Sequence, residues 1–227
     1  MKVDINAPGD DGFPPLHLAS GNGHDRVVQI LLEAGADVAT YSSNGWSALH
    51  VAAQYGQTKA AKQLIQNGAH VNVPCQNYSL ETPLMHAVGS PETVELLLIE
   101  GADINARDCL GHSALHQATM FDDIETMMAL FNREGLDVNC KSHDYGDTPL
   151  HCASFDGNVN TLKLLLQHPW LNINIQDNAG DTALHVATRQ NHTEIVGILL
   201  LAQNIDVLIA NKAGLAIQDV AVHEGNK

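Results

Sequence analysis

One short motif recurs along the chain at a nearly constant spacing, and that spacing limits the fold more than any other property of the sequence. Its fullest copy is Gly146-Asp147-Thr148-Pro149-Leu150-His151-Cys152-Ala153. Variants are Gly12-Phe13-Pro14-Pro15-Leu16-His17-Leu18-Ala19, Trp46-Ser47-Ala48-Leu49-His50-Val51-Ala52 and Glu81-Thr82-Pro83-Leu84-Met85-His86-Ala87. The series continues with His112-Ser113-Ala114-Leu115-His116-Gln117-Ala118 and Asp181-Thr182-Ala183-Leu184-His185-Val186-Ala187, and ends in a degenerate copy at Leu215-Ala216-Ile217-Gln218-Asp219-Val220-Ala221. Counted at the threonine position (residues 14, 47, 82, 113, 148, 182 and 216), the steps are 31 to 35 residues. A period of that length means stacked supersecondary units, each burying its apolar face against its neighbours.

The residue types inside the motif predict a helix start. Thr148 or Thr182 can accept from the free amides of a first turn, and Pro149 fits the first helical position, where its missing N–H costs nothing. Leu150 and Ala153 share one helical face, and Ala153 is small enough for two helices to approach closely. About half a repeat later, Val27-Val28-Gln29-Ile30-Leu31-Leu32 and Val94-Glu95-Leu96-Leu97-Leu98 are apolar on nearly all sides, which predicts a second helix buried against both neighbours. Gly35-Ala36-Asp37-Val38, Gly68-Ala69-His70-Val71-Asn72 and Gly101-Ala102-Asp103-Ile104-Asn105 follow such helices; the glycine predicts a left-handed cap, and the rest a polar turn.

Helix, helix and protruding turn at this period resemble the ankyrin repeat, over essentially the whole chain. The resemblance implies an all-α solenoid of helix-turn-helix units with β-turn or hairpin fingers. It gives a single domain over residues 1–227, with repeats at about 10–42, 43–77, 78–108, 109–143, 144–177 and 178–211 and a partial one at 212–227. Val3-Asp4-Ile5-Asn6-Ala7 reads as the end of a preceding unit, and the last unit reads as a first helix with no second. Both features predict a fragment of a longer protein.

Twenty-six acidic residues against eleven basic ones give a formal net charge of −15, which argues against a nucleic-acid footprint and against adsorption to anionic lipid. Basic or mixed-charge proteins would be steered in. Cys75, Cys109, Cys140 and Cys152 form no CxxC pair and lack the density of a secreted disulfide scaffold, so a reducing compartment, cytoplasmic with the nucleus as an alternative, is expected. No apolar run approaches the length of a membrane span.

The third unit departs from the pattern. Its connection from Asn72 to Thr82 is two residues longer than its counterpart and holds Pro74 and Tyr78. Its inter-helix spacing is two residues shorter, with Pro91 in the loop, and Met85 stands where the others carry histidine. The usual helix-start hydrogen bonds are therefore in doubt there. The fourth unit, with Met120, Phe121, Met127, Met128 and Phe131, is expected to have the softest core. From there on, the segment after the second helix gains a residue and the Gly-Ala-Asp cap is lost.

Thirteen histidines invite a metal or general-base reading, but His17, His50, His116, His151 and His185 occupy one repeat position. Equivalent residues on successive layers stand about 10 Å apart, whereas zinc needs all its nitrogens near 2.1 Å. The resemblance instead implies that this histidine bridges hydroxyl and backbone groups. No nucleophile elbow, phosphate loop, zinc-protease motif or dinucleotide fingerprint is present, so neither enzyme activity nor a cofactor or metal is expected.

Seven of the ten aromatics fall at two repeat positions: Phe13, Trp46, Tyr78 and Tyr145 just before the helix start, and Tyr55, Phe121 and Phe155 at the end of the first helix. The resemblance implies that these are finger and inner-helix positions of a concave ligand-binding face. Asp144, Asp147 and Asp156 accompany them, as do Asp10, Asp11, Glu81 and Asp181, with Arg189 as the exception. The expected function is a protein-interaction module, an adaptor, scaffold or inhibitor, favoured as a monomer, whose protein or peptide partner carries apolar anchors among basic residues. The alternative is a targeting or regulatory domain of a longer enzyme, effector or channel. Asn105, eight residues after Leu97, also resembles the ankyrin asparagines modified by asparaginyl hydroxylase.

Overall fold

The helix starts and glycine stops of the sequence become paired helices in the computed structural model, which describes residues 4–217 and 219. Val3, the degenerate motif beyond Ile217 and the tail at 220–227, where the partial last repeat is expected, lie wholly or almost wholly outside the described residues. The chain divides into two compact units, Met1–Cys109 and Leu110–Lys227. The first holds α1 (Pro15–Gly21), α2 (Asp25–Glu33), α3 (Ala48–Gln54), α4 (Thr58–Gln66), α5 (Pro83–His86) and α6 (Pro91–Ile99). The second holds α7 (Ala114–Met120), α8 (Ile124–Phe131), α9 (Pro149–Asp156), α10 (Val159–Leu165), α11 (Ala183–Arg189) and α12 (Thr193–Leu201). No described helix is long and apolar enough to cross a membrane.

Within each unit the odd-numbered helices pack on one another as one layer and the even-numbered helices as a second. The motif leucines Leu16, Leu49, Leu84, Leu115, Leu150 and Leu184 are 2% exposed or less, and each such burial contributes about 1.5–3 kcal/mol. The second helices are less buried than their apolar sequences predict. Val27 and Ile30 on α2, Ile99 on α6 and Leu200 and Leu201 on α12 face solvent, and only Val28 of α2 is buried. Each contacts other helices on one side only, which leaves the opposite face wet. The fourth unit's core also differs from expectation: Met127 is buried, but Met128 and Phe121 are exposed.

Among the described residues the fingers between these pairs are turns, not strands, and two of them carry a single isolated bridge, Tyr41 to Ser47 and Gln176 to Thr182. Successive fingers join through backbone hydrogen bonds, as where Gln76 N–H donates to Gly45 O (2.7 Å) and Asn178 N–H to Tyr145 O (2.7 Å). Gly45 must be glycine, because its φ is +76° and a Cβ would lie 2.7 Å from the Gln76 carbonyl carbon. The helix-terminating glycines Gly35, Gly68 and Gly101 likewise have positive φ, as the capping argument requires.

The repeated histidine sets the helix start and ties each finger to the next. In α9, His151 Nδ1 lies 3.2 Å from the Thr148 backbone nitrogen and 2.8 Å from its hydroxyl, while Nε2 lies 3.0 Å from Asp181 O. A backbone N–H can only donate and a carbonyl can only accept, so His151 is neutral with its proton on Nε2. The same double contact recurs at His50 with Ser47 and Glu81 O, at His116 with Ser113 and Asp147 O, and at His185 with Thr182 and Leu215 O. The hydroxyl therefore serves the imidazole at least as much as the first-turn amides; Ser47 accepts from His50 N–H only at 3.4 Å. Two copies depart from this, and both departures are chemical. Pro14 has neither hydroxyl nor N–H, and His17 Nδ1 is buried without a partner. Met85 offers no imidazole to Thr82, whose buried hydroxyl is also unpaired, and α5 is only four residues long.

A second set of ties comes from asparagines that the sequence suggests only as turn residues. Asn139 Nδ2 donates to Trp170 O (2.7 Å) while its Oδ1 accepts from Asn172 N–H (2.8 Å). Asn174 binds Asn204 O and Asp206 N–H in the same way, and Asn72 binds Gly101 O and Asp103 N–H.

Two stability measurements test this account. Burial holds the His17, His86 and His151 pKa values below the usual 6.5 and that of His50 down at about 3. The unfolded chain therefore binds more protons below pH 6.5, and stability should fall as the pH drops from 7 to 5.5, by about 1 kcal/mol or more from His50 alone. Equal or greater urea resistance at pH 5.5 would contradict this. Asn139→Ala should cost about 1–2 kcal/mol in urea unfolding, against less than about 0.5 for the exposed Asn160→Ala; equal effects would remove the asparagine bridge from the account.

Candidate functional site

The second unit carries a pocket of about 590 Å³ on the side formed by the fingers and first helices. Tyr145 and Asp147 reach it from the finger before α9, and Phe155 and Asp156 from the last turn of α9. Met120 closes α7, Val186 and Arg189 come from α11, and Asp177 and Asp181 from the finger that leads into it. The repeat places them there. Asp147 and Asp181 are 34 residues apart, each directly before an N-cap threonine, and Phe155 and Arg189 stand at the equivalent ends of α9 and α11.

The four carboxylates are not equivalent. Asp181 is buried, which by itself would raise its pKa, but Asn211 Nδ2 (2.8 Å) and the Arg189 guanidinium both donate to it and hold it below the ordinary value. Asp177 is committed to its turn, where Oδ1 accepts from Ala179 N–H (2.8 Å) and Asp181 N–H (2.9 Å). Asp147 and Asp156 receive no hydrogen bond on their carboxylates from any described residue. Burial pushes both pKa values up, against the opposing pull of His151 on Asp147 and of His192 on Asp156. Tyr145 and Phe155 remain 73% and 57% exposed, so the pocket pairs apolar surface with two carboxylates that lack a counter-ion. No described group of three or more His, Cys, Asp or Glu side chains is placed to hold a metal ion.

Tyr145, Asp147, Phe155 and Asp156 are thus brought together, along with Asp181 and Arg189; the other aromatic and acidic candidates do not line this pocket. In the second unit Phe121 is exposed at the end of α7, and Asp144 is exposed in the same finger as Tyr145. In the first unit Tyr55 is exposed at the end of α3, and Tyr78 is almost fully exposed (98%) in the lengthened third finger. Leu80 in that finger holds a φ of +57°, a strained value for a branched apolar residue. Phe13 and Trp46 are half-buried. Trp46 packs edge-on against His86 at 4.6 Å, and His86 Nδ1 meets Gln54 Oε1 at 2.9 Å. Nearby, burial pushes the Cys75 thiol up to about 12, and Cys152 beside the pocket is raised further still, so neither is a nucleophile. Asn105 is half-buried, with its backbone N–H on Asp103 Oδ1 (2.9 Å), at the repeat position held by Asn72 and Asn139.

Sequence reasoning missed Asp177, Met120 and Val186 as lining residues. Val186 could have been found, because it occupies the repeat position of Cys152, which also lines the pocket. It also passed over Trp170, which is 78% exposed in the loop between α10 and the next finger.

Comparison with known proteins agrees with this architecture. Residues 16–108 and 115–211 match the family described as ankyrin repeats (3 copies). The mouse (Mus musculus) B-cell lymphoma 3 protein homolog is 34% identical over 154 residues, covering 67% of this chain and 26% of that protein. Human (Homo sapiens) inversin is 31% identical over 182 residues, covering 78% of this chain and 17% of inversin. The chain therefore spans only a fraction of the curated relatives it matches. The crystal structure of the ankyrin repeat domain of Bcl-3 superposes with a TM-score of 0.81 at 27% identity, covering 93% of this chain and 95% of that one. With its repeats, its paired helices and these matches, the chain belongs to the ankyrin repeat family.

Proposed function

We propose that this chain is a non-enzymatic adaptor, scaffold or inhibitor that binds a protein or peptide through the face built by its fingers and first helices, acting as a monomer in the cytoplasm or nucleus. Ankyrin repeat domains are protein–protein interaction modules; the finer reading rests on one observation. The pocket of the second unit joins exposed Tyr145 and Phe155 to the unpaired carboxylates of Asp147 and Asp156, the composition that favours a partner with apolar anchors among basic residues. Asp144 and Phe121, with Phe13, Trp46, Tyr55 and Tyr78 of the first unit, are proposed as further contacts on the same kind of face. The repeats at about 10–42, 43–77, 78–108, 109–143, 144–177 and 178–211 are proposed to form one interaction domain over residues 1–227. A second reading, the targeting or regulatory arm of a longer enzyme, effector or channel, draws support from the small share of its relatives that the chain spans.

Phe155→Ala and Tyr55→Ala should each weaken a captured partner by about 2 kcal/mol or more, read as dissociation constants on protein shown to be folded; unchanged affinity in both would remove the proposed face. Asn105 is proposed as a hydroxylation target. Exposure to an asparaginyl hydroxylase should add the mass of one oxygen at Asn105, and an intact mass without that increment would remove the assignment.

A further inference from the structure

Which side chain fills the pocket of the second unit can be argued from what the pocket has left unpaired. Two of its four aspartates are already used: Asp181 by Arg189 and Asn211, and Asp177 by its own turn. Arg189, the one lysine or arginine among the described residues that line the pocket, is therefore held on Asp181 and does not neutralise Asp147 or Asp156; the other basic groups there are His112 and His151, whose pull on Asp147 is outweighed by its burial. Those two carboxylates stand beside the apolar surface of Met120, Phe155 and Val186, with the exposed ring of Tyr145 at the finger. Asp147 is half-buried and Asp156 is exposed; a half-buried carboxylate such as Asp147 without a counter-ion is costly, and a cation arriving there removes that cost. The described residues offer no converging set of three metal ligands, so a small hard ion has no coordination shell here.

Among organic cations, the surroundings select one. An ammonium is compact and strongly hydrated and would have to be stripped of water against apolar walls. A guanidinium is planar and weakly hydrated, stacks on aromatic rings and presents several N–H donors at fixed angles, which suits two carboxylates carried by different segments, the finger and the last turn of α9. We propose that this pocket takes a single arginine side chain of the partner, its guanidinium donating to Asp147 and Asp156 and its stem lying along Met120, Phe155 and Val186. The assignment rests on the pocket being the docking site named above, and it makes that reading specific: the partner's anchor is arginine, followed or preceded by an apolar residue that covers Tyr145.

Random peptides displayed on phage and selected on the folded chain test the two readings separately. Selected peptides should share an arginine beside an apolar residue. Replacing that arginine by citrulline should weaken binding about tenfold or more, lysine should weaken it less, and Asp147→Asn with Asp156→Asn should abolish the preference for arginine over citrulline. Should Asp147→Asn impair folding, Asp156→Asn alone and the citrulline peptide carry the same comparison. Peptides that lose binding on Phe155→Ala but contain no arginine, or that bind equally with citrulline, would overturn the arginine assignment and leave the docking site standing. Peptides indifferent to Phe155→Ala, Tyr145→Ala and Asp147→Asn alike would overturn both.

Discussion

The rest of the structure depends on a neutral imidazole that faces two ways. Its Nδ1 takes the amide proton of the residue that starts its own helix, and its Nε2 gives a proton to the carbonyl of the following finger, as His151 does between Thr148 and Asp181. One side chain thus caps a helix and fixes the register of the next repeat. Protonation would place a hydrogen on Nδ1 facing a donor, so the arrangement holds only while the ring is uncharged. Where the chemistry is missing, the local structure is poorer: Thr82 is left with an orphan hydroxyl over a four-residue helix.

The same positions that build the scaffold also carry the site. In α3, α5, α9 and α11 the residue before the N-cap offers its carbonyl oxygen to the preceding motif histidine, so its backbone is fixed while its side chain is free to vary. Asp147 and Asp181 occupy that position in successive repeats and have different fates. Asp181 is bound by Arg189 and Asn211, whereas Asp147 is half-buried and unpaired. The pocket is therefore held in place by hydrogen bonds that its variable side chains do not make, which gives a preformed surface with little ordering cost on binding.

Periodicity made the layers legible: Leu150, His151 and Gly35 each have a job that any copy of the motif must perform, and each sits where that job requires. Solvent exposure was not legible in the same way. Val27 and Ile30 read as core in an apolar run but face solvent, because repetition alone does not say which face of a second helix has a neighbour. Pairing was legible least of all. Asp147 and Asp181 both read as the residue before an N-cap threonine; they differ because Arg189 stands where α9 has Phe155, and because Asn211, 30 residues beyond Asp181, reaches back to it across a layer. Asn139 likewise reads as a turn former, and its role as a tie between loops appears only once residues 170 and 172 are beside it.

The division between a histidine-held scaffold and a variable binding face is tested most directly by amide hydrogen exchange of the folded chain with and without a bound partner. Binding should slow exchange in the finger before α9, the last turn of α9 and the first turns of α11, and leave α8 and α10 unchanged. Protection confined to α8, α10 and the Trp170 loop, with no change around Tyr145 and Phe155, would contradict it.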